Sequence, residues 1–160
     1  MIDVGVNLTN SRFDKDRAEV LARAKEANIR AMLVTGTNIE ESKQAILQCR
    51  QNPNYLYCTA GIHPHDADQA DKDYLDCVRA IGECGLDFNR NFSTAENQTR
   101  VFQGQVELAQ QLNLPLFLHQ RDAFQAWFKI LKPYLDKVPA LVSHCFTGNK
   151  NELLQCLDAG

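Results

Sequence analysis

Short apolar runs alternate with longer amphipathic segments along the whole chain, and this alternation restricts the fold more than any other feature. The apolar runs are Ile2–Asn7, Ile29–Thr35, Tyr55–Ile62, Val78–Glu83, Leu114–His119 and Ala140–His144. Their length and apolar continuity suit buried strands. Between them, Asp14–Asn28 carries Ala18, Val20, Leu21, Ala24 and Ala27 at near-helical spacing. Asn38–Cys49 opens with Asn38 as N-cap and Glu41 three residues on, a capping-box pattern. A long helix capped by Ser93 or Thr94 is predicted to reach Leu112, with Val101, Phe102, Val106, Leu108 and Ala109 on its apolar stripe. Ala123–Leu135 reads as a helix that Pro133 disturbs near its end. Asn149–Leu157 reads as another, with Gly160 at the C-cap. Asp66–Asp76, with five Asp in eleven residues, reads as a short acidic helix or loop with a solvated face.

Six βα units imply a parallel sheet with helices outside it. An open doubly wound sheet and a (β/α)8 TIM barrel both satisfy that pattern. No GxGxxG or GxxxxGK[ST] run is present, so neither a dinucleotide site nor a P-loop is supported. The length of 160 residues fits one domain, residues 1–160. A complete barrel takes ~250 residues. Six strands cut from a barrel would expose two sheet edges. The chain is therefore expected to be an incomplete barrel whose seventh strand would begin after Gly160.

The formal charge of −3 gives no bulk basic field to gather nucleic acid, so any such substrate must be held locally. No run is long and apolar enough to span a membrane, and Met1-Ile2-Asp3-Val4 lacks the regions of a signal peptide. A cytoplasmic location is expected. The six cysteines form no CxxC pair and are read as reduced, small core residues. Phe124, Trp127 and Phe128 are read as helix core rather than as a stacking platform.

All four histidines fall at the carboxyl ends of predicted strands, the rim where barrels place chemistry. One histidine at a strand end is an ordinary hydrogen-bonding core residue. Four successive strands ending in His63-Pro64-His65, Glu83, His119 and His144 make that explanation inadequate. Glu83 could ligate or bridge a metal, with His119 and His144 ligating as neutral imidazoles. His63 and His65, two apart in an extended segment, can face the same side and serve leaving-group protonation or phosphate contact. A loop-rigidifying role for the motif stays open. Arg121 could clamp an anionic oxygen or pair with Asp122. Asp87 could orient a ligand, hydrogen-bond substrate or simply make an Asx turn.

At these residues the chain resembles a known family. GIHPHD (Gly61–Asp66), AIGECGLDFNRNFS (Ala80–Ser93), LPLFLHQRDA (Leu114–Ala123) and SHCFTG (Ser143–Gly148) are similar to motifs of the TatD metal-dependent deoxyribonucleases. The opening IDVGVNLTNSRF (Ile2–Phe13) and VTGTN (Val34–Asn38) resemble the TatD branch itself. The resemblance implies a TIM barrel with a rim metal site and 3′→5′ exonuclease action on single-stranded DNA or RNA. It implies metal-ligand roles for Glu83, His119 and His144, with His63 and His65 on the substrate side. It favours Mg²⁺, whereas imidazole ligands suit Mn²⁺ or Zn²⁺ as well.

Three departures accompany the resemblance. Many relatives carry an HxH pair after the first strand's Asp, where this chain has Gly5 and Asn7. The segment between HPHD and AIGECG is shorter than usual. The family's catalytic Asp lies near a seventh strand, which these residues do not supply. Two other functions remain compatible with the rim: hydrolysis of a non-nucleic-acid ester or amide, and a non-catalytic role with a vestigial metal site.

Overall fold

The computed structural model describes residues 1–69 and 78–160. Cys77 and residues 70–76 of the acidic run lie outside them. Six parallel strands form one sheet: β1 (Ile2–Val6), β2 (Ala31–Val34), β3 (Leu56–Ala60), β4 (Val78–Asp87), β5 (Leu116–Arg121) and β6 (Leu141–Ser143). Each strand pairs only with its sequence neighbours. A doubly wound sheet would reverse its strand order at a switch point. The unbroken order excludes that alternative, and the chain forms six consecutive strands of a (β/α)8 barrel.

The helices are α1 (Arg17–Glu26), α2 (Ile39–Gln51), α3 (Ala95–Leu112), α4 (Phe124–Leu131) and α5 (Lys150–Asp158). Short 3-10 turns occupy Ser11–Phe13, Pro64–Gln69 and Lys132–Tyr134. The caps follow the sequence signals. Asn38 accepts the Glu41 N–H, Thr94 accepts the Asn97 N–H, and Asn149 with Glu152 closes a full capping box. Glu41 does not close the reciprocal bond expected of it; its carboxylate takes the Thr37 hydroxyl. Pro133 ends α4 early by converting its last turn to 3-10 geometry.

The outer layer is a continuous apolar core. Cys84, Leu86, Leu116 and Leu118 of the sheet pack with Phe102, Val106 and Ala109 of α3. Phe124, Trp127 and Leu131 of α4 join the same core, as their helical spacing predicts. Cys49, Cys58 and Cys84 are buried there outside any disulfide, whereas Cys145 is exposed, contrary to a core role. Its backbone has φ +45°, a left-handed turn just after His144 that swings the side chain out of the strand pattern.

β4 extends four residues past Glu83, its expected end. Between Ile81 and Cys84 it advances three residues while β5 advances two, from Leu116 to Leu118. This bulge re-aims the residues after it, and Glu83, Gly85 and Asp87 share the inward face. Beyond the bulge, Gly85 pairs with His119 and Asp87 with Arg121. Gly85 has φ +152°, and a Cβ there would run into the His119 carbonyl. Glycine is what lets the two strands touch at the level of the site. Gly85→Ala is expected to destabilise the fold by about 2 kcal/mol or more, through strain and overpacking. Urea denaturation of the two proteins checks this.

Candidate metal centre

Three imidazoles, from the loop after β3, from β5 and from just after β6, converge on one carboxylate of β4. Glu83 Oε1 lies 2.7 Å from His144 Nε2, 3.3 Å from His119 Nδ1 and 3.4 Å from His63 Nε2. The Glu83 side chain is only 10% exposed. Burial by itself would raise its pKa. Hydrogen bonding from His119, His144 and His63 overrides that and holds the carboxyl well below the usual range. Burial pushes the His63 imidazole the other way, downward, with Glu83 opposing.

Asp87 divides its two oxygens. Oδ1 accepts the backbone N–H groups of Asn89 at 3.0 Å and Arg90 at 2.9 Å. Oδ2 bonds His65 Nε2 at 2.9 Å and lies 3.4 Å from His119 Nε2. The Asx turn foreseen for Asp87 is thus present, and its carboxylate, 2% exposed, also bonds His65. Burial raises its pKa, but the Arg90 N–H, His65 and the Asn89 N–H bring it down to about 2.

His63 and His65 reach the site by a different route from the extended HPH spacing. Pro64 opens a 3-10 turn, and the two rings meet edge to face with centroids 4.3 Å apart. The His65 N–H donates to His63 Nδ1 at 3.2 Å. A neutral His63 ring therefore carries its proton on Nε2, which donates to Glu83. The His63 N–H is itself anchored on the Thr37 carbonyl at 2.6 Å.

Arg121 shares a strand face with His119, two residues before it. It forms no ion pair among the described residues, because Asp122 instead accepts from Asn89 Nδ2 at 2.8 Å. At the end of β1 no ligand is offered. A Cβ on Gly5 would stand 3.3 Å from the Phe117 ring, which stacks on His144 with centroids 4.6 Å apart. Asn7 is engaged by the Thr35 hydroxyl.

The ligand atoms of His63, Glu83 and His119 all lie within 4.8 Å of one another. His119 Nε2 is buried and makes no hydrogen bond. It faces Asp87 Oδ2 at 3.4 Å, on the opposite side of the ring from Nδ1, which faces Glu83 at 3.3 Å. Imidazole and carboxylate are the donors a first-row divalent ion takes. The residues present therefore fit a divalent metal.

A model of TatD-related DNases matches residues 2–160. The chain belongs to this family. A curated relative, the 3′-5′ ssDNA/RNA exonuclease TatD of Pectobacterium carotovorum subsp. carotovorum, is 52% identical over the whole chain. The chain spans 65% of that relative's length. A TatD family hydrolase from Entamoeba histolytica superposes with TM-score 0.90 at 29% identity, covering 100% of this chain and 62% of that one. An uncharacterised amidohydrolase from Saccharomyces cerevisiae superposes with TM-score 0.84 at 25% identity, covering 99% and 65%.

Two residues central to this TatD-family site escape the strand-end pattern. Gln98 and Gln105 are buried on α3, seven residues apart and so on one face. Gln98 Oε1 accepts the Asp87 N–H at 2.9 Å, and its Nε2 donates to the carbonyls of Asp87 at 3.1 Å and Ser93 at 2.9 Å. Gln105 makes the same two-way clasp on Ile62, at 2.7 and 3.0 Å. Each holds the loop that presents a histidine or an aspartate. A polar residue recurring inside an apolar helical stripe was the available signal.

Gln98→Leu strands three backbone groups and should cost ~3 kcal/mol or more, while exposed Gln110→Leu stays within ~0.5. Chemical denaturation of both variants checks the contrast. Asp87→Asn tests the electrostatics. A depressed carboxyl stabilises above its unfolded pKa of ~3.9 and loses that contribution as pH falls through its folded value. Asp87→Asn should therefore lower Tm near pH 7, with the difference from wild type vanishing as pH falls toward about 2. Calorimetry across that range is the measurement.

Proposed function

We propose that the protein is a divalent-metal-dependent phosphodiesterase releasing nucleotides from the 3′ ends of single-stranded DNA or RNA. The observation that carries this reading is the convergence of His63, His119 and His144 on Glu83 Oε1, with the ligand atoms of His63, Glu83 and His119 within 4.8 Å of one another. Glu83, His119 and His144 would hold the ion. His63, whose ligand atom lies within 4.8 Å of those of Glu83 and His119, is a further ligand candidate. The ion, Mg²⁺ by family resemblance and Mn²⁺ or Zn²⁺ by ligand type, would supply Lewis acidity and a lowered pKa for water.

The remaining steps belong to the protein's own side chains. Arg121 clamps a non-bridging phosphate oxygen from the face it shares with His119. Asp87 orients His65 through Nε2, leaving its Nδ1 to exchange a proton with the leaving oxygen. His63 fixes Glu83 and lies at the substrate side of the pair. Among the described residues no helix is long and apolar enough to cross a membrane. A cytoplasmic enzyme, with residues 1–160 forming part of one barrel domain, completes the reading. The likeness to a protein named as an amidohydrolase supports a second reading, hydrolysis of a small ester or amide at the same centre.

The deciding assay is nucleotide release from a 3′-labelled single-stranded oligonucleotide with and without EDTA. EDTA should abolish release. Glu83→Gln and His144→Ala should each reduce it at least ~100-fold. Equal release by all three proteins would refute a metal mechanism, and turnover of small esters or amides without any nucleotide release would favour the second reading.

A further inference from the structure

Phe92 is 65% exposed, yet it sits against the catalytic cluster, its ring at 88° to His65 with centroids 4.8 Å apart. An exposed phenyl group on a loose loop would be unremarkable. This loop is fastened on both sides of Phe92. Before it, Asp87 Oδ1 holds the Asn89 and Arg90 N–H groups. After it, the buried Ser93 donates its hydroxyl to the His65 carbonyl at 2.8 Å, and Gln98 ties the Ser93 carbonyl back to that of Asp87. Thr94 then caps α3. The ring is thus presented to solvent by a braced backbone, with one edge contact to a histidine that faces the reacting phosphate and most of its surface open.

We propose that Phe92 is a stacking platform for a nucleobase next to the scissile phosphate, an inference that rests on the nuclease reading above. Every base has an apolar π-face, so one aromatic ring holds any sequence without reading it. The chain has no bulk positive charge to retain a strand. Stacking beside His65 supplies affinity where the phosphate must be positioned. Phe92 touches the base and no reacting atom, so its loss should appear in binding and leave the chemistry nearly intact.

Two single-stranded oligodeoxynucleotides make the test, one normal and one with abasic residues at its last two 3′ positions, with Mg²⁺ or Mn²⁺ supplied. Wild type should show a KM roughly tenfold higher for the abasic strand, the scale of one base–aromatic stack. Phe92→Ala should raise KM for the normal strand by a similar factor, keep kcat within about twofold and lose the discrimination between strands. Phe92→Trp should restore both. A ring that merely packs on His65 would alter kcat and treat the two strands alike. If wild type cleaves and Phe92→Ala still discriminates, the stacking role is overturned while the nuclease reading stands. If wild type cleaves neither strand, the nuclease reading fails and takes the stacking role with it.

Discussion

A carboxylate taken out of water costs several kcal/mol unless opposite charge or hydrogen bonds replace its hydration. Glu83 is such a group, and the geometry of the rim follows from how its burial is compensated. One oxygen receives imidazoles from β6, from β5 and from the loop after β3. Each comes from a different βα unit, so no local segment can build the site. Only the sequential order of parallel strands brings the three rings to one point. The same arrangement leaves His119 Nε2 without a hydrogen bond. The hydrogen bonds outweigh the burial of the carboxylate, while on the far side of the His119 ring Nε2 faces Asp87 Oδ2 at 3.4 Å.

Precision at the centre depends on backbone that is neither strand nor helix, and α3 supplies it. Gln98 and Gln105 sit two turns apart on the face packed against β4. Each amide offers one donor end and one acceptor end, which matches a peptide group's own pair. A hydrophobic residue there would pack as well but would leave the loop's backbone groups unpaired in a dry setting. The helix therefore does two things at once. Phe102, Val106 and Ala109 bury apolar surface, and the glutamines between them set the positions of the HPH turn and of the segment after Asp87.

The βα alternation, the helices among the described residues, the Asn38 and Thr94 caps and the placement of all four histidines at or near strand ends were legible because they depend on local periodicity and capping chemistry. Glu83, His119 and His144 could be grouped from position alone, since side chains at strand ends must face one rim. Three things were not legible. The length of β4 depends on a bulge and on Gly85 meeting His119, a register effect that no local pattern encodes. The HPH turn is 3-10 rather than extended, because His63 is anchored on Thr37 and its ring takes the His65 N–H. The burial of Asp87 depends on the loop that follows it, whose Asn89 and Arg90 N–H groups it holds. Each miss concerns a contact between residues far apart in sequence.

The end of β1 shows how the interior restricts the chemistry. A histidine at position 5 would need the volume that the Phe117 ring fills against His144. Gly5 also has φ +94°, a conformation that strains any L side chain. Phe117, two residues before His119 on the same face of β5, steadies the His144 ring by stacking. Packing thus holds the imidazole against Glu83. Arg121, on the same strand face as His119, forms no ion pair among the described residues.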